Sequence, residues 1–270
     1  MSEFPLTQAD KPNFKHLKKY KDGTERILNT QDNLKILFDF LGLKIRFNLM
    51  TYEIILTKLG EVIESSDEMR SELISYISIY DVPKAIIEDH LLALANKNTF
   101  HPVKEWLEQS EWDQKPRLHS FLNCIPTKDD ELTKIVLTKW FVGCVASLYE
   151  GNFHSKLVPI LKSNQTYKKS ALIQRFASVT AHSFLEGAEL NPDNKDSVLA
   201  CIYSWITEMG EMERTTKNSQ GALKAFLTKG IDTVRPPFAK HAIKKKRQTH
   251  FIATVNESEF LKDQTGRATA

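Results

Sequence analysis

Lys169 and Ser170 stand between a short apolar run of strand type, Lys156-Leu-Val-Pro-Ile-Leu161, and a helical segment expected from Ser170 to about Ala177. Lys-Ser at that junction is the end of the phosphate-loop pattern G-x-x-x-x-G-K-[ST]. In that pattern glycines let backbone N–H groups turn toward phosphate, the lysine reaches the outer phosphates and the hydroxyl holds Mg2+. The full stretch reads Ser163-Asn-Gln-Thr-Tyr-Lys-Lys169-Ser170, so Ser163 and Lys168 fill the pattern's two glycine positions. A non-glycine residue held at left-handed φ costs roughly 1–2 kcal/mol. Each ~1.4 kcal/mol is tenfold in affinity. Two or three such positions would weaken nucleotide binding by orders of magnitude. Otherwise the loop relaxes into a basic surface turn that holds no nucleotide, although Lys168 does add positive charge beside Lys169.

Three other groups have types and places that suit the same chemistry. Glu208 ends the apolar run Tyr203-Ser-Trp-Ile-Thr-Glu208, with Glu211 shortly after. These are either metal- and water-handling carboxylates or two solvated acids at a strand end. Asn256 follows the run His250-Phe-Ile-Ala-Thr-Val255 and is either a phosphate or water ligand or an ordinary turn residue. Lys240-His-Ala-Ile-Lys-Lys-Lys-Arg247 carries five basic side chains and no acid. It suits contact with nucleic-acid phosphates or is a solvated charged hairpin. Cys124, Cys144 and Cys201 are too far apart for a metal cluster or a disulfide framework, and read as buried thiols in a reducing cytoplasm.

The elements that must position these groups can be read from periodicity. Of 270 residues, 41% are hydrophobic and 26% charged, a profile that excludes a disordered chain. Residues 1–150 carry 19 Lys and Arg against 23 Asp and Glu, whereas residues 151–270 carry 18 against 11, so the second half is the expected home of a phosphate-bearing ligand. No apolar leader is visible over Met1–Lys15. The most apolar stretch, Ile135–Tyr149, is interrupted by Lys139 and too short to cross a bilayer.

Four regions are expected: a mobile segment 1–25, a small α/β then helical module 26–100, a helical linker or lid 101–151, and an α/β domain 152–270. In the module, Thr30 caps a helix stopped by Gly42. Leu43–Phe47 and Tyr52–Leu56 form a small hairpin, and Ser66–Ile79 and Val82–Ala95 are helices, the second capped by Asp81. His101–Trp106 opens a short helix, Trp112–Leu118 is a turn, and a long helix covers about Asp130–Tyr149. Beyond it, strand-type runs alternate with helices such as Ser219–Thr228, which predicts a largely parallel sheet.

Several segments, in order, resemble the virulence-associated protein E family. They are Asn33-Leu-Lys through Arg46-Phe-Asn48, His101-Pro-Val-Lys-Glu-Trp-Leu107, Trp112-Asp-Gln-Lys-Pro-Arg-Leu118, Lys139-Trp-Phe-Val-Gly143, Leu190-Asn-Pro-Asp-Asn-Lys-Asp-Ser197, Trp205-Ile-Thr-Glu-Met-Gly-Glu211, Leu223-Lys-Ala-Phe226, Arg235-Pro-Pro-Phe238, Thr254-Val-Asn-Glu257 and Asp263-Gln-Thr-Gly266. The resemblance implies an α/β fold with a P-loop NTPase core similar to superfamily 3 helicases and AAA+ proteins, in a phage or mobile-element replication protein. It places family glycines at Ser163, Thr166 and Lys168. It implies ATP and Mg2+ as ligands, Lys169 and Ser170 on the phosphates and metal, Glu208 as the metal-holding and water-orienting carboxylate, and Asn256 as the sensor. Arg235 would be an arginine finger acting across the subunit boundary of a ring. Lys244, Lys245, Lys246 and Arg247 would form the hairpin that meets single-stranded DNA. The family continues past Thr-Gly with paired arginines and aromatics, so Thr265-Gly-Arg-Ala-Thr-Ala270 implies a domain truncated at its C terminus. Two functions follow: a helicase-type ATPase, or a catalytically inactive derivative that binds DNA or co-assembles with an intact homologue.

Overall fold

The computed structural model describes residues 11–63, 66–151, 153, 155–164, 167–192, 194–210, 217–235 and 239–256. The chain divides into two compact units: residues 1–100 with 235–241, and residues 101–234 with 242–270.

The first unit begins with a hairpin of β1 (Leu17–Lys19) and β2 (Glu25–Ile27), in a stretch expected to lack structure up to residue 25. Gly23 at φ +88 makes its turn possible. Helix α1 (Gln31–Phe40) starts at Thr30, whose side chain accepts from the Asn33 N–H, and the chain leaves it through Gly42 at φ +66. A four-stranded sheet follows in the order β5-β4-β3-β6, from β3 (Leu43–Asn48), β4 (Ile54–Lys58), β5 (Glu61–Val62) and β6 (Thr99–Phe100). The second strand begins later than expected because Tyr52, at φ 59, is still in the turn.

Helices α2 (Ser66–Ile79) and α3 (Ala85–Ala95) complete this unit. Asp81 does not cap α3. It stands at φ 54 just beyond α2, and the Val82 N–H returns to the Ile77 carbonyl at 2.8 Å. That left-handed stop closes the preceding helix; α3 starts after Lys84. Leu34, Leu37, Leu56, Leu73, Ile86 and Leu91 are almost wholly excluded from solvent and form the core.

The second unit opens with α4 (Pro102–Glu108), α5 (Arg117–Leu122) and α6 (Asp130–Tyr149). The expected turn at 112–118 thus runs into an unforeseen helix, α5. Strand β7 (Ile160–Lys162), α7 (Lys169–Ala177), β8 (Phe184–Ala188), α8 (Lys195–Ile202), β9 (Ile206–Met209), α9 (Lys217–Leu227), the hairpin β10 (Ile231–Val234) and β11 (Ile243–Lys246), and β12 (His250–Val255) follow. The main sheet has the order β7-β12-β9-β8, and every neighbouring pair is parallel. The expected parallel α/β sheet is therefore present.

Helix α6 binds this sheet directly. Trp140 is fully buried and its Nε1–H donates to the Phe251 carbonyl at 3.1 Å, while Trp205 Nε1–H donates to the Cys144 carbonyl at 3.0 Å. Phe141 and Phe176 pack edge to face on Trp140, and Phe121 packs the same way on both of them, joining α5, α6 and α7. At 20 residues α6 is long and apolar enough to cross a bilayer by length and composition, contrary to the shorter stretch read from sequence. Trp140 and its contacts to the strand mark it instead as a helix that packs on the sheet.

Candidate functional site

The parallel sheet brings the ends of β7, β12 and β9 side by side, and the groups singled out by type meet there. Lys169, the first residue of α7, turns its ammonium back across the loop. Its Nζ donates to Asn256 Oδ1 at 2.8 Å, to the Ser163 carbonyl and Oγ at 3.1 Å each, and to the Asn164 carbonyl at 3.3 Å. Beside it, Ser170 Oγ donates to Glu208 Oε1 at 2.6 Å. Thr254 Oγ1 donates to the same oxygen at 2.8 Å. Sequence reasoning misses Thr254, although its place two residues before Asn256, near the C-terminal end of β12, is a usable signal.

Glu208 is 1% exposed, and its other oxygen, Oε2, has no hydrogen-bond partner among the described residues. A buried carboxylate oxygen without a donor is costly unless a cation or water completes it. Ser170, Glu208 and Thr254 present hard oxygen atoms and a single carboxylate. That set suits Mg2+, which is commonly held by one or two carboxylates together with waters and substrate phosphates. Among the described residues no group of three or more His, Cys, Asp or Glu could hold a metal.

The glycine-free loop is partly explained. Lys168 adopts φ 51 and ψ 36, the left-handed conformation that a glycine would take freely. Ser163 is not among the residues at positive φ. Thr166 and Glu211 lie outside the described residues, as does the stretch 265–270. The strain is therefore observed at one of the three glycine positions. Lys168→Gly will raise stability by about 0.5–1 kcal/mol, the relief of left-handed strain less the extra freedom of glycine in the unfolded chain. A lower thermal midpoint in the variant would contradict this.

The basic hairpin divides into two kinds of residue. Lys245 is 1% exposed; its Nζ donates to the Ile202 carbonyl at 2.9 Å and lies 4.9 Å from the Tyr203 ring centroid. Burial pushes its pKa down to about 7. Arg247 is equally interior, paired through both Nε and Nη2 with Asp232 at 2.5 and 2.6 Å, and lies over the ring of Phe226. These two are structural, and the expectation that they meet DNA is corrected: each is already engaged inside the unit. Lys244 is exposed and Lys246 partly so, with the Lys246 ammonium on the Glu150 carbonyl. Arg235 begins the segment that belongs to the first unit, and its Nε donates to the Ala239 carbonyl at 3.1 Å. It is not part of the hydrogen-bonded constellation around Glu208 and Lys169.

The profile of the virulence-associated protein E-like domain matches residues 107–268, more than half of the chain and all of the strands that build this site. The chain belongs to the virulence-associated protein E-like family. No curated protein matches it. Among solved structures, the apo structure of the NrS-1 C terminal region is similar at 13% identity and a TM-score of 0.49, over 82% of this chain and 56% of that one. Its A form is similar at 14% identity and a TM-score of 0.49, over 83% and 56%. The chain spans about half the length of these structures. Within the family domain, the four-strand sheet and the Lys169, Ser170, Glu208 and Asn256 constellation lie inside the matched residues.

Proposed function

We propose that the second unit binds a nucleoside triphosphate with Mg2+ and works as a helicase-type ATPase of P-loop design in a phage or mobile-element replication protein. The observation that carries this is the Ser170–Glu208–Thr254 cluster around the buried Glu208 carboxylate, whose Oε2 has no partner among the described residues, one residue along the helix from a lysine bound to Asn256. Ligands of parallel α/β sheets bind outside the carboxyl ends of the strands, which is where these residues gather.

Lys169 would exchange its four oxygen partners for phosphate oxygens, which offer the same ammonium a full negative charge. Ser170 and Glu208 would hold Mg2+. When bound, the ion neutralises phosphate charge. Glu208 Oε2 would accept a hydrogen bond from water, and Asn256, released from Lys169, would bond phosphate or that water. Exposed Lys244 and partly exposed Lys246 would contact single-stranded DNA. Arg235 would act from a neighbouring subunit if the protein assembles as a ring.

Calorimetry with ATP and Mg2+ tests this reading. Wild type will bind, and Lys169→Ala will lose the heat signal, a decrease of at least about tenfold in affinity for one charged phosphate contact. No heat at millimolar ATP would sink the proposal. The side chain of Lys168, held at left-handed φ in the phosphate loop, favours a second reading: an inactive derivative that binds DNA or joins an intact homologue. Nucleotide binding without phosphate release would select that reading.

A further inference from the structure

Among the described residues, the helices of the first unit pack on one face of its four-stranded sheet. In β3, Leu43, Ile45 and Phe47 are buried, and so are Ile54 and Leu56 of β4. Helices α1 and α3 pack on these strands, and Lys58 of β4 reaches Glu72 and Tyr76 of α2 at 3.0 and 2.6 Å, so all three helices share this side. Side chains alternate along strands. The register pairs Lys44 with Thr57, Arg46 with Ile55 and Thr57 with Val62, and sets Phe100 across from Asn48 on the other flank of β3. Lys44, Arg46, Ile55, Thr57, Val62 and Phe100 therefore share the opposite face. Lys44 and Val62 are exposed there and the other four partly so, while Asn48, which the same register puts on this face beside Phe100, is buried.

The chemistry of this face is specific. The Arg46 guanidinium lies 3.9 Å from the Phe100 ring centroid, giving a flat cationic and aromatic surface that spans β3 and β6. Lys44 adds a second cation. The strand positions of the face hold no carboxylate; Glu61 of β5 adjoins Val62 but pairs with Lys58 in the register, on the helix-covered side. This is unusual ground for the acidic half of the chain, where 23 Asp and Glu outnumber 19 Lys and Arg. Four strands make a platform about 14 Å wide, room for the two or three bases that an open four-stranded sheet can stack. Ile55 and Val62 are small for protein anchors, which are typically large aromatic or Arg side chains seated in pockets.

We propose that this face binds single-stranded nucleic acid without sequence preference, with bases stacked on the Arg46–Phe100 pair and phosphates on Lys44. The site is built from first-unit residues alone and does not depend on ATP.

The test is anisotropy of the full chain with a labelled single strand of about 12 nucleotides, as oligo-dT and as oligo-U, with the matching duplex and no ATP. Wild type will bind both single strands better than the duplex; a preference between oligo-dT and oligo-U only tells which polymer it favours. Phe100→Leu, which keeps apolar volume and removes the stacking surface, will weaken binding about tenfold. Lys44→Ala will weaken it about threefold and make the log–log salt slope shallower by about 0.7, as expected for one lost phosphate contact. Lys44 is exposed, so its variant remains informative even if Phe100→Leu melts early. Failure of wild type to bind either single strand overturns the proposal. So does unchanged affinity and salt slope in Lys44→Ala, or loss of binding only when Lys244 is neutralised.

Discussion

Asp232→Ala will lower folding stability by about 3–5 kcal/mol, the usual cost of stranding one member of a buried ion pair. Asp232 is 2% exposed and Arg247 4%. The carboxylate takes both Nε and Nη2 of the guanidinium, while Nη1 donates to the Phe226 carbonyl at 3.3 Å and the guanidinium plane faces the Phe226 and Phe251 rings. Asp232 also draws on Lys245, which burial otherwise drives toward neutrality. One acid therefore serves two interior cations. Its removal leaves Arg247 charged in an apolar layer, because a guanidinium does not deprotonate. Replacing the pair together, as Asp232→Leu with Arg247→Met, will recover most of the loss, since apolar residues of similar volume often substitute without penalty. Urea unfolding measures both. A loss under about 1 kcal/mol in Asp232→Ala would show that the pair contributes little.

The protein will also lose several kcal/mol of stability as pH falls from about 6.5 to 4, before most carboxylates titrate. His101 and His250 are each 4% exposed, and burial lowers both pKa values to about 4, with nearby cations adding to the shift: Lys245 and Lys104 for His101, Arg247 for His250. The folded-state values lie below the unfolded value. Between the two, the unfolded chain takes up protons that the folded chain refuses. The stability these imidazoles support is thus complete above about 6.5 and is lost as pH approaches 4. A shift of this size is worth about 3 kcal/mol for each ring. Neither ring nitrogen of His101 has a hydrogen-bond partner among the described residues, whereas His250 Nε2 pairs with Ser147 Oγ at 2.8 Å. His101→Leu therefore removes a titrating group at little structural cost and will flatten about half of the slope. Lys245 extends the trend upward: with a folded pKa near 7 against 10.5, stability keeps rising with pH across that interval. A stability maximum near pH 5 would contradict both assignments.

Periodicity was a sound guide where an element buries a full face or all its residues. Helix α6 and strand β12 occupy the expected spans, and the Thr30 cap and Gly42 stop of α1 are seen as read. Strand β8 escaped notice because all its residues stay at least partly exposed and Gly187 stands within it, leaving no alternation to detect. Helix α8 buries only Cys201 and Ile202 and is set by the Asn194 cap, too weak a pattern to read in sequence. Lys169, Ser170, Glu208 and Asn256, picked out by residue type and order, converge in space once the strands align. The hairpin misled because a run of lysines has the same composition whether it faces water or not. What sends Lys245 and Arg247 inward is the Ile202 carbonyl and the Asp232 carboxylate, both supplied by other elements.

The tip of the β10–β11 hairpin has a consequence for how this chain comes off the ribosome. Residues 235–241 belong to the first compact unit, where Lys240 pairs with Asp89 at 3.0 Å and Ala239 is buried. The first hundred residues emerge long before that tip is made. They wait for the Lys240–Asp89 pair and the buried Ala239 while strands β7, β8 and β9 are being synthesised. A gene fragment that stops at Phe100 would encode the first unit without this late-made segment.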